Sequence, residues 1–312
     1  MPDLPTRTLG RTGLPVTTLG FGALELRGMV AGVGRPLSSG QPAAILNAVL
    51  DAGINYIDTA VDYGYAEEHI GRHIAHRRSE FYLASKCGCP LDNAGFQPEE
   101  RTRFGVPLPR FHDYSRESIV NACHQSLRRM RTDYLDIVQF HFSPAREVLE
   151  QEGAIETLQD LQRQGKIRYL GCSSILPNIF DHIAMDVFDV LQVPYSILQP
   201  EHSEAIERAA SAGLGIVIRG GVARGQPGAG QGTAQVWDRW EQAELDDLLE
   251  GMTATEFLLR ATISNPHVHT TIVGTLNPAH LQENVAAVRQ GPLSATVIEE
   301  AKRRLDFVPD EQ

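Results

Sequence analysis

Eight short apolar runs alternate with segments of helical periodicity along nearly the whole chain. They are Leu19-Gly20-Phe21-Gly22, Ile54 to Asp58, Phe81 to Lys86, Leu135 to Phe140, Ile167 to Gly171, Phe188 to Gln192, Gly215 to Ile218 and His269 to Ile272. Strands this apolar need cover on both faces, which a parallel sheet wrapped in helices provides. Helical spacing is legible in Pro42 to Leu50, Arg116 to Arg131, Ala154 to Gln164, Glu201 to Ala212, Ala254 to Ser264 and Pro278 to Arg289. The first of these stops at Asp51-Ala52-Gly53, where glycine is the expected residue just past a helix end. Eight such units in 312 residues fit a (β/α)8 TIM barrel, one domain over residues 1–312, better than two domains. Arg7 to Val16 reads as two short strands around a Gly-containing turn, an N-terminal β-hairpin ahead of the barrel. Two connections, Gly88 to Tyr114 and Arg224 to Gln242, are long and rich in Gly or Pro, as expected of mouth loops that shape a pocket.

A barrel of this kind carries its chemistry at the C-terminal ends of its strands. The run Asn55 to Gly64 places Asp58 at one strand end and Tyr63 in the loop beyond it, while the next runs lead into Lys86 and His141. A tyrosine, with an ordinary pKa of about 10, exchanges protons poorly near neutrality. A neighbouring ammonium favours the phenolate, and a carboxylate can hold the ammonium in place. Singly, each residue has an ordinary structural role: a turn cap, a half-buried aromatic, a solvated strand end, a core histidine. Acid, phenol, ammonium and imidazole at successive strand ends instead point to one site.

A formal charge of −11 speaks against a general affinity for nucleic acid or anionic lipid. No uninterrupted apolar stretch could span a bilayer, and Met1 to Arg7 lacks the apolar core of a secretion signal, so a cytoplasmic location is expected. Cys87, Cys89, Cys123 and Cys172 are too few and scattered for a disulfide framework. The pair Cys87-Gly88-Cys89 lacks the wider spacing and further ligands of a zinc motif; it reads as small residues lining a strand end.

Asp58, Tyr63, Lys86 and His141 resemble the catalytic tetrad of the aldo-keto reductase superfamily. The resemblance extends along nearly the entire chain: Gly20-Phe21-Gly22, Asn55 to Gly64, Ser85-Lys86, Gly171-Cys172-Ser173-Ser174, Gln192, Gly274-Thr275-Leu276-Asn277-Pro278 and Glu283-Asn284 occur in family order. It implies an oxidoreductase that interconverts carbonyl compounds and alcohols, with Tyr63 as general acid. It also implies NADP(H), in preference to NAD(H), extended across the barrel mouth. No Gly-x-Gly-x-x-Gly fingerprint follows a strand, so the cofactor is not expected on a Rossmann domain. By the resemblance its contacts would include Gly22 and Asp58 at strand ends, with Ser173, Ser174 and Gln192 at the nicotinamide carboxamide. Arg219, Gly220, Gly221 and Arg224 would lie along the ring and pyrophosphate, and Gly274, Thr275, His280, Glu283 and Asn284 toward the adenosine end. The start of the helix at Pro278 is suited to phosphate.

Two departures stand out. Leu276 occupies a place where relatives put Arg, Lys or Ser for the 2′-phosphate, leaving His280, Arg224 or Arg239 as substitutes. Arg219-Gly220-Gly221-Val222 replaces the usual Tyr-Ser-Pro-Leu, so a guanidinium stands where an aromatic would stack on nicotinamide; its planar face can stack as well. The expected partner is a small carbonyl or alcohol, with Phe96, Phe104, Phe111, His112 and Tyr114 available to shape its pocket. The resemblance also admits an NAD-dependent sugar or polyol dehydrogenase, or a cofactor-sensing partner protein such as the potassium-channel β subunits.

Overall fold

A computed structural model describes residues 3–30, 33–89, 112–227 and 232–308. Phe96, Phe104 and Phe111 lie outside the described residues. The eight apolar runs form parallel strands β1 (Leu19–Gly22), β2 (Tyr56–Asp58), β3 (Tyr82–Cys87), β4 (Leu135–Phe140), β5 (Ile167–Ser173), β6 (Val190–Pro194), β7 (Gly215–Arg219) and β8 (Thr270–Val273). Each pairs with its sequence neighbours, and β8 pairs with β1 to close the barrel. The expected barrel is therefore the observed one, with strand ends displaced by one or two residues.

Side chains two apart on a strand share a face, and this period builds the interior in layers. Tyr56, Ala84, Ile137, Val190 and Val217 cluster inside the barrel with Leu9, Leu14 and Val16 from the N-terminal hairpin. The hairpin, Thr6–Thr8 paired antiparallel with Pro15–Thr17, thus plugs the floor. Gly10 at its turn has φ +47°, and a Cβ there would collide with the backbone of Leu214 and Gly215, so the plug seats only because that residue is glycine. Two residues further along the same strands stand Asp58, Lys86, Gln139, Gln192 and Arg219. The apolar floor forces polar side chains into one layer at the mouth.

The alternate face of the strands, with Ile57, Leu83, Val138, Leu191, Ile216 and Ile218, joins the main core against the helices. All six expected helices are present: Gln41–Asp51, Arg116–Met130, Ala154–Arg163, Ser203–Ser211, Ala254–Ser264 and Pro278–Arg289. Several others were not anticipated, including Ala66–His73, Ile179–Ala184, Ala234–Gln242 and Ala295–Asp306. Ala234–Gln242 corrects the reading of residues 224–242 as an irregular loop: Trp237 and Trp240 are buried there in a second core with Phe257 and Leu305. No described helix is long and apolar enough to cross a membrane.

Candidate active site

The layer above the apolar floor is organised around the Asp58 carboxylate. Lys86 Nζ donates to Asp58 Oδ1 at 2.5 Å and to the Thr59 carbonyl at 2.8 Å. Gln139 and Gln192 donate their side-chain N–H groups to Asp58 Oδ2 at 3.0 and 2.8 Å. Both members of the ion pair are buried, at 0% and 2% side-chain exposure. Burying two charges costs several kcal/mol per ion before their attraction is counted. Such a pair in a barrel mouth is therefore a functional candidate rather than a stabilising device. Gln139 was not anticipated as a site residue; the signal for it is an amide in the inward register of an otherwise apolar strand.

Tyr63 follows β2 in the loop, half-buried, with Lys86 Nζ 5.0 Å from its ring centroid. Its ring meets that of His141 edge-on at 5.9 Å. Burial pushes the phenol up to about 12; Lys86 pulls it down, Asp58 and Asp62 push it up, and Arg219 pulls it down. The pull of Lys86 has the direction expected from the sequence, but desolvation outweighs it. The phenol therefore stays protonated across the neutral range, as a proton donor must.

His141 is held on three sides. Its N–H donates to the Cys87 carbonyl at 2.9 Å, its carbonyl accepts from the Tyr114 hydroxyl at 2.5 Å, and its ring tilts against Phe142 at 4.1 Å. The two residues that follow, Phe142 and Ser143, both have left-handed backbone, with φ of 61° and 52°. Non-glycine residues in that region carry strain, which clusters at functional sites. His141 Nδ1 lies 3.2 Å from Cys89 Sγ and 3.4 Å from Asp62 Oδ1. Burial lowers the imidazole's pKa, with Asp62 the leading opposing influence, so the ring is neutral at pH 7.

Other expected contacts divide into groups. Ser173 ends β5 and is buried, and its hydroxyl makes no hydrogen bond among the described residues. Ser174 instead gives its buried hydroxyl to His182 Nδ1 at 2.6 Å, and Gln192 spends its N–H on Asp58, which leaves its oxygen as an acceptor. Arg219 closes β7, half-buried, with a charge that reaches Tyr63 and His202. Gly220 has φ +77°, and the space its Cβ would fill is open. Gly221 is glycine for a different reason: a Cβ would strike Thr271 and Thr262, and Thr262 donates to its carbonyl at 2.8 Å.

At the helix Pro278–Arg289, Asn277 caps the Ala279 N–H at 3.0 Å. That cap takes one of the donors expected to serve phosphate. Thr275 and Asn284 are buried, whereas Gly274, His280 and Glu283 are exposed. Leu276 is buried in the main core. Space is open at Gly220, between Arg219 and Arg224 in sequence, and Ser173 pairs with Gln192 on the neighbouring strand, a set of groups that suits a ligand with an anionic portion and an amide.

Residues 18–305 match the model of the Aldo/keto reductase family. The chain is similar to the L-galactose dehydrogenase of Arabidopsis thaliana, with 26% identity over 310 residues that cover 93% of this chain and 90% of the relative. It is also similar to a D-threo-aldose 1-dehydrogenase from a Pseudomonas species, with 28% identity over 305 residues, 87% of this chain and 89% of the relative. Among solved structures, the holo form of an aldo-keto reductase from Bacillus halodurans matches with a TM-score of 0.81 at 27% identity, covering 99% of each chain.

Proposed function

This chain belongs to the aldo/keto reductase family, whose members are carbonyl-reducing oxidoreductases that use nicotinamide cofactors, and we propose on that premise that it reduces an aldehyde or ketone with NADP(H), with Tyr63 as general acid. The observation that carries the reading is the buried Asp58–Lys86 pair packed under the Tyr63 ring. When bound, the cofactor supplies the hydride. Tyr63 donates its proton to the carbonyl oxygen, and Lys86 eases that transfer by stabilising the phenolate left behind. Asp58 keeps Lys86 charged and fixed, while His141, neutral and backed by strained backbone, orients the carbonyl through its Nε2. Ser173 and the Gln192 oxygen would hold the nicotinamide carboxamide, Arg219 would lie against the ring, and the open backbone at Gly220 with Arg224 would hold the pyrophosphate. A cytoplasmic location goes with this reading.

The test is Tyr63→Phe, which should retain cofactor binding and lose about 10² to 10⁴ in carbonyl turnover, the usual contribution of a general acid. Near-normal turnover with a panel of aldehydes would remove Tyr63 from the role. A second reading, an NAD-dependent sugar dehydrogenase, is favoured by the inward-facing Leu276 and by the two sugar dehydrogenases among the relatives. Turnover of aldoses with NAD⁺ exceeding aldehyde turnover with NADPH would select it.

A further inference from the structure

Asp62, Cys89 and His141 come from three different segments, and their ligand atoms lie within 4.8 Å of one another. Cys89 is fully buried and His141 nearly so; the Asp62 side chain is 11% exposed. Asp62 Oδ1 is buried yet accepts no well-formed hydrogen bond among the described residues; His141 Nδ1 is 3.4 Å away. The same nitrogen is 3.2 Å from Cys89 Sγ, so a carboxylate oxygen, a thiol sulfur and an imidazole nitrogen converge.

These separations suit a tetrahedral metal ion. Zinc bonds of about 2.0 Å to nitrogen and oxygen give an N···O edge of about 3.3 Å, and a Zn–S bond of about 2.3 Å gives an S···N edge of about 3.5 Å. The observed 3.4 and 3.2 Å come within a few tenths of an ångström of both. A mixed S, N, O donor set selects zinc over magnesium or calcium, which take oxygen ligands. Charge balances within the complex too: Zn²⁺ with one carboxylate and one thiolate is neutral overall, one unit more positive than the metal-free carboxylate and thiol.

We propose that Asp62, Cys89 and His141 form a zinc-binding site at the barrel mouth, and that its occupation inhibits turnover. The inhibitory half rests on the reductase reading above; the binding half does not. On binding, the Zn–S bond forms as the Cys89 thiol releases its proton to the buffer, and no oxidant takes part. Three protein ligands leave a fourth position open, as in zinc sites that admit water or a small anion. Nδ1 of His141 becomes a ligand, and the ring and the Asp62–Tyr63 turn are locked by the metal.

The experiment titrates Co²⁺, then Zn²⁺, into the purified full chain without cofactor. We expect one equivalent of cobalt to give intense tetrahedral d–d bands and a thiolate-to-cobalt charge-transfer band, both removed by Zn²⁺. Cys89→Ala and the near-isosteric Cys89→Ser should lose the charge-transfer band. Asp62→Asn should weaken binding at least tenfold. His69 and His73, one helical turn apart with rings 5.9 Å apart, offer a sulfur-free surface alternative that would give no charge-transfer band. Its absence in the unmodified protein, or its persistence in both Cys89 variants, overturns the site. Zn²⁺ should inhibit aldehyde turnover, with reversal by chelator, and Cys89→Ser, scored against its own basal rate, should be at least tenfold less sensitive. Binding with unchanged turnover overturns the inhibitory half alone.

Discussion

Replacing Lys86 by methionine removes an ammonium 5.0 Å from the Tyr63 ring centroid and puts a neutral side chain of similar length in its place. At an effective dielectric of about 20, a unit charge at that distance is worth about 3 kcal/mol, or about two pH units on the phenol. The phenol is already at about 12 and moves higher. As an acid it weakens; with about half of the difference expressed in the transition state, carbonyl reduction falls about tenfold from this cause alone. In alcohol oxidation the phenolate becomes about a hundredfold scarcer but also a stronger base, so the net loss is again about tenfold. Equal losses in kcat/KM are what a fixed overall equilibrium demands. A second effect runs beside the first. Without Lys86 the buried Asp58 charge is uncompensated, at about 3 to 5 kcal/mol of stability, and it pushes Tyr63 higher still. Adding Asp58→Asn should therefore restore most of the lost stability and part of the lost turnover. Urea unfolding midpoints and kcat/KM in both directions, measured for all four proteins of the cycle, decide the matter. A double variant no more stable and no more active than Lys86→Met alone would refute this account of the pair.

Oxidised nicotinamide is cationic and reduced nicotinamide neutral, so a guanidinium near the ring should disfavour the oxidised form by about 1 kcal/mol, whereas an aromatic face attracts it. Arg219→Tyr should tighten NADP⁺ binding relative to NADPH, and an unchanged ratio of dissociation constants would move Arg219 away from the ring. For coenzyme choice, Leu276→Arg should unfold the protein at lower denaturant rather than widen NADP(H) preference, because the side chain is buried in the core. Preference in the unmodified protein should stay within tenfold, about 1.4 kcal/mol; fluorescence titrations giving more than a hundredfold would show that His280 or another cation already binds the 2′-phosphate. Burial raises the Glu67 carboxyl, with Ser126, Ser85 and Arg129 only partly opposing it. The folded state therefore keeps the proton longer than the unfolded chain, and Glu67 costs stability as pH rises above the unfolded value toward the folded one. Glu67→Gln should raise Tm more at pH 8 than at pH 4, and a pH-independent difference would contradict the shift.

The barrel was legible because its pattern is local. Each strand needs apolar side chains on both faces, a run of a few residues displays that requirement, and fixed β/α alternation leaves few topologies. The convergence of Asp58, Tyr63, Lys86 and His141 was legible for a related reason: Asp58, Lys86 and His141 stand at strand ends, and strand ends converge in a closed parallel barrel. Short helices such as Ala66–His73 and Ile179–Ala184 span about two turns, too few for a 3.6-residue period to emerge.

What the tertiary structure alone decided depends on pairs far apart in sequence and on sums over many neighbours. Asp58 meets Gln139 and Gln192 across separations of 81 and 134 residues, and nothing local in either strand announces the match. Ser174 turns to His182, and Leu276 to the core, because packing fixes which way a side chain points once the backbone is set. The Tyr63 phenol rises although an ammonium lies against it, since desolvation is the summed effect of all surrounding atoms while the sequence displays only the nearest charges. Cys89 looked like a small residue at a strand end; only the closed barrel sets its sulfur beside Asp62 and His141.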